Sequence, residues 1–304
     1  MTTAPTFRSS EVDPPKGLPD ISVWEFWTGD RAARAEAWRV LRDTPGLPFY
    51  PERTFADSPF QPGPGYYAVT RYDDVWQASR HPELFCSGQG SNIPDLSQEL
   101  NEFYGSMINM DDPKHFRLRS IVSKGFTPKH VAAVEDQVRL KAAELVDRMI
   151  AEHPDRSADL VSSLSGPLPL EIICAMMGIP QSDTARIFEW TNTILGAGDP
   201  EYGGSYERLF EVSLEIFAYA QALGEDRRAN PTDDITSALM AAEVDGDQLT
   251  SQEFGSFFIL LVVAGNETTR NAISHGVKAL SDFPEQRQRW FYDFETHART
   301  AVEE

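Results

Sequence analysis

The chain has 304 residues, 41% of them hydrophobic and 24% charged, with 27 Lys+Arg against 47 Asp+Glu and a formal net charge of −20. Such a composition is globular, and so negative a field repels phosphate backbones, which excludes nucleic acid as an expected partner. Two cysteines, Cys86 and Cys174, are too few for a disulfide framework or a structural zinc cage.

Residues 1–20 hold Pro5, Pro14, Pro15 and Pro19 with little apolar content, and read as a loose arm ahead of one mostly helical domain over 21–304. The first thirty residues lack a basic stretch followed by an apolar one. The longest apolar run, Phe257 to Ala264, falls far short of the roughly 20 residues that span a bilayer. A cytoplasmic protein with no membrane span is the expectation. A helical pattern from about Trp24 to Arg42 is closed by Pro45, Pro48 and Pro51. Tyr66-Tyr67-Ala68-Val69-Thr70, aromatic and β-branched, is the clearest strand. From Tyr72 onward most of the sequence reads as helix.

Asp112-Pro113 supplies a cap and a pre-set first helical φ, and Gly125 with Pro128 marks the stop. Thr127-Pro128 opens the next helix, which ends before Pro154. A third helix, carrying Leu170, Ile173 and Met177, ends at Gly178 and Pro180, and a fourth runs from Asp233 to about Val244 ahead of an Asp245-Gly246 turn. Thr250 and Glu253 then form a capping box, T-x-x-E, and the pattern stays helical to about Ser281, where Pro284 stops it. A rod of about thirty residues is about 45 Å long, so it has to cross the core.

That rod is apolar all round from Phe257 to Val263, and then polarity intrudes: Ala264-Gly265-Asn266-Glu267-Thr268-Thr269-Arg270-Asn271. A glycine and a carboxylate in the middle of a core helix oppose both propensity and burial. Ala264 and Gly265 would let a flat ligand approach the backbone. Thr268 is spaced to bond back to the Ala264 carbonyl and distort the turn, with Glu267 and Thr268 as neighbouring proton carriers. The plainer alternative pairs Glu267 with Arg270 or Asn271 on a solvated face. His115 and Arg119, at i and i+4, share a helical face. They lie in a window, 113–134, without Asp or Glu but with Lys114, Arg117, Arg119, Lys124 and Lys129. Paired donors suit an anionic ligand group, and outward cations suit an acidic partner, although a solvated basic face accounts for them equally well. No dinucleotide loop, P-loop, nucleophile elbow or HExxH motif occurs, and the six histidines never adopt metal-ligand spacing.

Ala264-Gly265-Asn266-Glu267-Thr268-Thr269 in a long central helix resembles the oxygen-binding helix of cytochrome P-450 haem-thiolate monooxygenases, and His115-x-x-x-Arg119 resembles that family's haem-propionate pair. Tyr72-Asp73-Asp74-Val75, Ser79-Arg80-His81-Pro82 and Gly125-Phe126-Thr127-Pro128 extend the likeness over about residues 20–304. It is nearest to bacterial hydroxylases of steroid side chains and methyl-branched lipids. The resemblance implies a mainly α fold with a small β region, haem as cofactor, and C–H hydroxylation of a hydrophobic substrate with O₂ and ferredoxin electrons. Carried over, Glu267 and Thr268 deliver protons, Ala264 and Gly265 face the haem plane, and His115 and Arg119 hold its propionates. Ile93, Pro94, Ile194, Leu195, Val262 and Val263 line the substrate pocket, and Lys114, Arg117 and Lys124 dock the ferredoxin. The family's iron-binding F-x-x-G-x-[HR]-x-C-x-G loop does not occur in these 304 residues. Glu304 resembles the Glu of the family's E-x-x-R helix. The expectation is therefore a fold lacking its C-terminal haem-ligand segment, with no metal ligand of its own and inactive alone. A non-catalytic lipid-binding or ferredoxin-binding remnant is the alternative.

Overall fold

The computed structural model describes residues 6–56, 58–93, 95–196 and 205–303. Its N-terminal portion is built on two small antiparallel sheets. β1 (Phe7–Ser9) pairs with β3 (Arg53–Phe55) in the register Phe7↔Phe55, and β2 (Phe49–Tyr50) pairs with β4 (Tyr66–Tyr67) in the register Phe49↔Tyr67. Part of the expected loose arm is therefore strand. The Ser10 N–H extends the ladder to the Glu52 carbonyl at 2.9 Å, and Phe7 packs its ring on Phe55 at 5.1 Å. The predicted helix over 24–42 is divided into α1 (Trp24–Thr28) and α2 (Arg31–Asp43). The break falls at Gly29-Asp30, where the Asp30 carboxylate caps α2 by accepting the Ala32 and Ala33 N–H groups. A satellite core of Ile21, Leu41, Tyr50 and Ala68 joins sheet and helix.

The remaining elements are helical, because Gly and Pro punctuate long runs of helix-favouring residues. They are α3 (Tyr72–Arg80), α4 (Gln98–Gly105), α5 (Lys114–Val122), α6 (Pro128–Glu152), α7 (Pro167–Met176), α8 (Thr184–Leu195), α9 (Tyr206–Ala229), α10 (Ile235–Ala241), α11 (Ser251–Asp282), α12 (Pro284–Tyr292) and α13 (Phe294–Glu303). The sequence signals at 128, 154, 178 and 284 fall within two residues of observed boundaries. The fourth expected helix is shorter than read, since Asp234 caps it at its start by accepting the Ser237 N–H and Ala242 is already extended. Val244 and Asp247 then bridge across the Asp245-Gly246 turn.

The main core is organised around α11. Its 32 residues reach about 48 Å, and both halves of the Thr250/Glu253 capping box are formed. Phe254, Phe257, Phe258, Ile259 and Val262 are buried against Val212, Ile216 and Ala220 of α9, Ile173 of α7, Ile187 and Trp190 of α8, and Leu118 and Ile121 of α5. Burial of this kind contributes about 2 kcal/mol per large side chain, so α11 is held by its neighbours and not by propensity. No helix of the described residues is long and apolar enough to cross a membrane.

Candidate functional site

The helix that carries the candidate chemistry changes character at Val263. Upstream its side chains are buried. Downstream, Ala264, Thr268, Thr269, Asn271 and Ala272 are exposed, while Asn266 is buried and Glu267 and Arg270 are half-buried. Ala264, Thr268 and Ala272 are spaced four apart and form a shallow strip of small side chains along one face. Thr268 Oγ1 donates to the Ala264 carbonyl at 2.6 Å, the back-bond that the i, i+4 spacing predicts. That bond folds the hydroxyl onto its own helix and keeps the strip flat.

Gly265 does not share this face. A Cβ there would overlap Cδ1 of Ile173, so the glycine allows α7 to lie close to α11. The space beside Gly265, where a flat ligand is expected, holds the Ile173 side chain. Glu267 pairs with Arg270, Oε1 to Nη2, at 3.0 Å, and Arg270 Nη1 also donates to Asn192 Oδ1 of α8 at 3.3 Å. The pairing expected under the plainer reading is therefore present, but in a half-buried seam between α8 and α11 and not on a fully solvated face. Asn266 Nδ2 approaches Thr191 Oγ1 of α8 at 3.4 Å, and its own Oδ1 is buried without a partner. Asn192 and Thr191 are not marked in the sequence, because nothing local in α8 identifies its polar residues as neighbours of α11.

On α5, His115 Nδ1 lies 3.4 Å from Asp112 Oδ1, and the Arg119 side chain is exposed with no hydrogen bond or ion pair among the described residues. Arg117, on the opposite side of α5, donates to Glu253 Oε1 at 2.7 Å and lies 3.5 Å from Asp247 Oδ2, so it ties α5 to the first turn of α11. Lys114 pairs with Glu102 at 2.5 Å. Two of the three cations expected to dock a partner are thus engaged within the chain. Only Lys124 makes no side-chain bond among the described residues.

The expected pocket residues separate. Val262 is completely buried in the interhelical core, and Ile194 and Val263 pack against that core. Val262, expected to line the pocket, shares this core with residues of α7, α8 and α9. Ile93 and Leu195 are exposed, and Pro94 lies outside the described residues. Cys174 is buried on α7, where desolvation pushes its thiol up to about 11, and Cys86 is exposed after α3. Among the described residues no cluster of three or more His, Cys, Asp or Glu could hold a metal ion.

No family model matches the chain. It is 54% identical over 307 residues to a methyl-branched lipid omega-hydroxylase of Mycobacterium tuberculosis, covering all of this chain and 71% of the relative. It is 36% identical over 260 residues to a steroid C26-monooxygenase of Mycolicibacterium smegmatis, covering 79% of this chain and 60% of the relative. Among solved structures, a Mycobacterium marinum cytochrome P-450 in complex with pseudoionone superposes with a TM-score of 0.87 at 36% identity, over 97% of this chain and 71% of the other. Fold and relatives together define an oxidoreductase of the monooxygenase class. The chain belongs to the cytochrome P-450 family, whose cofactor is haem.

The residues present suit that group. A strip of small side chains at Ala264, Thr268 and Ala272 can lie against a flat macrocycle, and the unpaired guanidinium of Arg119 with the half-exposed imidazole of His115 can take its carboxylates. Burial on α7 disfavours the charged form of the Cys174 thiol.

Proposed function

We propose that this chain is built for hydroxylation of a methyl-branched lipid or steroid side chain, with His115 and Arg119 binding the haem propionates and Ala264 lying against the ring. The observation that carries this reading is the Thr268–Ala264 bond at 2.6 Å on an exposed, small-residue face of a helix whose first half is buried. When bound, haem supplies dioxygen activation. The protein's own part is proton handling and orientation. Glu267, half-buried beside Arg270, takes up protons from solvent and hands them to Thr268, which releases the Ala264 carbonyl and passes a proton on from Oγ1. Ile93, Leu195 and Val263 offer apolar contact to the substrate, which suits a hydrocarbon better than a polar ligand. An acidic ferredoxin would meet Lys124, with Lys114 and Arg117 acting through their ion pairs and not as free docking charges.

The same reading treats residues 21–304 as a single domain in the cytoplasm. It also holds that no thiolate from this chain reaches the iron, so the chain is inactive alone. Reconstitution with haem, followed by a carbon monoxide difference spectrum of the reduced protein, tests both parts. Haem uptake that weakens in Arg119→Ala, with no thiolate-type band, is the expected result. Absence of uptake refutes the cofactor reading, and a thiolate-type band refutes the inactivity. The second reading is an apolar-ligand protein without haem, for which the exposed Ile93 and Leu195 would supply the apolar contact. A melt that rises with a branched fatty acid but is insensitive to haem would establish it.

A further inference from the structure

Between α3 and α4 the chain makes a loop whose neck is drawn together by one buried amide. Asn101 of α4 is 1% exposed, and both of its side-chain N–H bonds are used: Nδ2 donates to the Gln89 carbonyl at 3.1 Å and to the Leu96 carbonyl at 3.2 Å. Two backbone positions seven residues apart thus converge on a single nitrogen, closing the loop across its base. The Asn101 Oδ1 atom is buried and has no partner, so this side chain is not placed for its own satisfaction. Gly90 makes the approach possible. Its φ is +113°, a backbone conformation that side chains rarely adopt, and a Cβ there would lie 2.7 Å from Asn101 Nδ2.

Further polar contacts stiffen the leading arm. Asn109, 2% exposed, donates from Nδ2 to the Asn101 carbonyl at 2.9 Å and accepts from Ser91 Oγ at 2.6 Å. The Asp111 carboxylate accepts the Ser87 and Gly88 N–H groups at 2.8 and 2.9 Å. Residues 87–91 and Leu96 are therefore pinned, whereas Ile93, near the tip, is 56% exposed. A rigid base under an exposed branched apolar side chain is how a protein presents a fixed contact to a ligand without placing polar groups against it.

We propose that Asn101 is a positioning residue for hydrocarbon recognition: by closing the loop between Gln89 and Leu96 it sets where Ile93 stands, and so sets the preference between branched and straight chains without touching either. This rests on the reading that Ile93 meets the substrate. The test uses the full chain with ¹³C-methyl-labelled isoleucine, the Ile93 signal being assigned with Ile93→Val. Asn101→Asp keeps the shape and removes both donors. It should shift or broaden the Ile93 methyl signal and speed amide exchange at Ser87–Gly90 on the order of tenfold. Ser91→Ala, which removes one contact near the surface and is expected to fold normally, should move the same signal less. Ser256→Ala, which removes the bonds from α11 to the Glu102 and Phe103 carbonyls of α4, should leave it in place.

Displacement of a fluorescent fatty acid by palmitate and by a terminally methyl-branched acid gives the second readout. Asn101→Asp should change the ratio of the two affinities, and Ser256→Ala should not. An Ile93 signal unmoved in both Asn101→Asp and Ser91→Ala overturns the proposal, as does an equal ratio change in Ser256→Ala. If the unaltered chain displaces neither acid, the substrate reading fails, and the methyl signal still decides the positioning.

Discussion

The two halves of α11 are one continuous helix in two environments. From Phe254 to Val262 it is enclosed by aromatic and branched side chains of α5, α7, α8 and α9. From Ala264 onward it keeps its helical bonds but presents an exposed face, and side-chain ties to its neighbours hold its other side: Glu267–Arg270–Asn192, Asn266–Thr191, and Ser165 Oγ to Ser274 Oγ at 2.8 Å. Packing fixes the first half so firmly that the second half can hold residues that packing would reject. A Gly-Asn-Glu-Thr sequence would be costly in a fully buried rod; next to a secured segment it costs little and leaves donors and acceptors near the surface.

The sharpest way to break this comparison is to truncate one apolar side chain to alanine in each half. Phe258 is fully buried, with its ring centroid 6.1 Å from that of Tyr219 and 6.2 Å from that of Phe254. Phe258→Ala should lower unfolding free energy by about 4 kcal/mol, because surrounding rings cannot collapse into the space. Val277→Ala in the exposed half should change it by less than about 0.5 kcal/mol. Urea titrations of the two variants measure both; equal losses would mean that the second half is packed after all.

Acid tests the same body of packed helices. Desolvation alone would raise the Asp234 carboxyl, but the Thr232 hydroxyl, the Ser237 N–H and the Arg227 guanidinium hold it below the ordinary carboxylate range. A depressed folded-state value contributes stability above the unfolded value, near 4, that is lost as pH falls through the folded one. Asp234→Asn should therefore lower stability at neutral pH by about 2 kcal/mol and flatten its dependence on pH below about 4. A parallel pH profile in the variant would dismiss the contribution of this carboxylate.

What could be read from the sequence and what could not divide along a related line. The Thr250/Glu253 box, the stops at Pro154 and Pro284 and the Thr268 back-bond are contacts within four residues, and local spacing is enough to specify them. The strand at Phe7–Ser9 was missed because its partner lies more than forty residues away and it carries no alternation long enough to detect. Arg117 read as a free surface charge because Glu253 is 136 residues distant. Val262 and Val263 are identical in the sequence, yet one is sealed in the core and the other is half-buried; only the direction of each around α11 separates them. Gly265 was assigned to a ligand for the same reason, its neighbour Ile173 being a contact between helices.

Gly265→Ala decides between that contact and an open face. Filling a tight α7–α11 contact costs about 1–3 kcal/mol, against about 1 kcal/mol gained from helix propensity, so a net loss of about 1 kcal/mol is expected. Were the glycine open to a ligand, propensity alone would operate and the variant would melt higher. The sign of the change in melting temperature decides between them.

The smallest effect is the most informative about the exposed half. Thr268 Oγ1 bonds only to its own helix, at the surface, and its removal leaves the Ala264 carbonyl accessible to water. Alanine also has the higher helix propensity, so Thr268→Ala should be neutral or stabilise by up to about 0.5 kcal/mol. That outcome would support the proposed use of the Thr268 hydroxyl in proton transfer, since folding would then have no need of it. A loss above about 1 kcal/mol in the same urea titration would instead make Thr268 a structural residue, because only a desolvated partner left behind could cost so much.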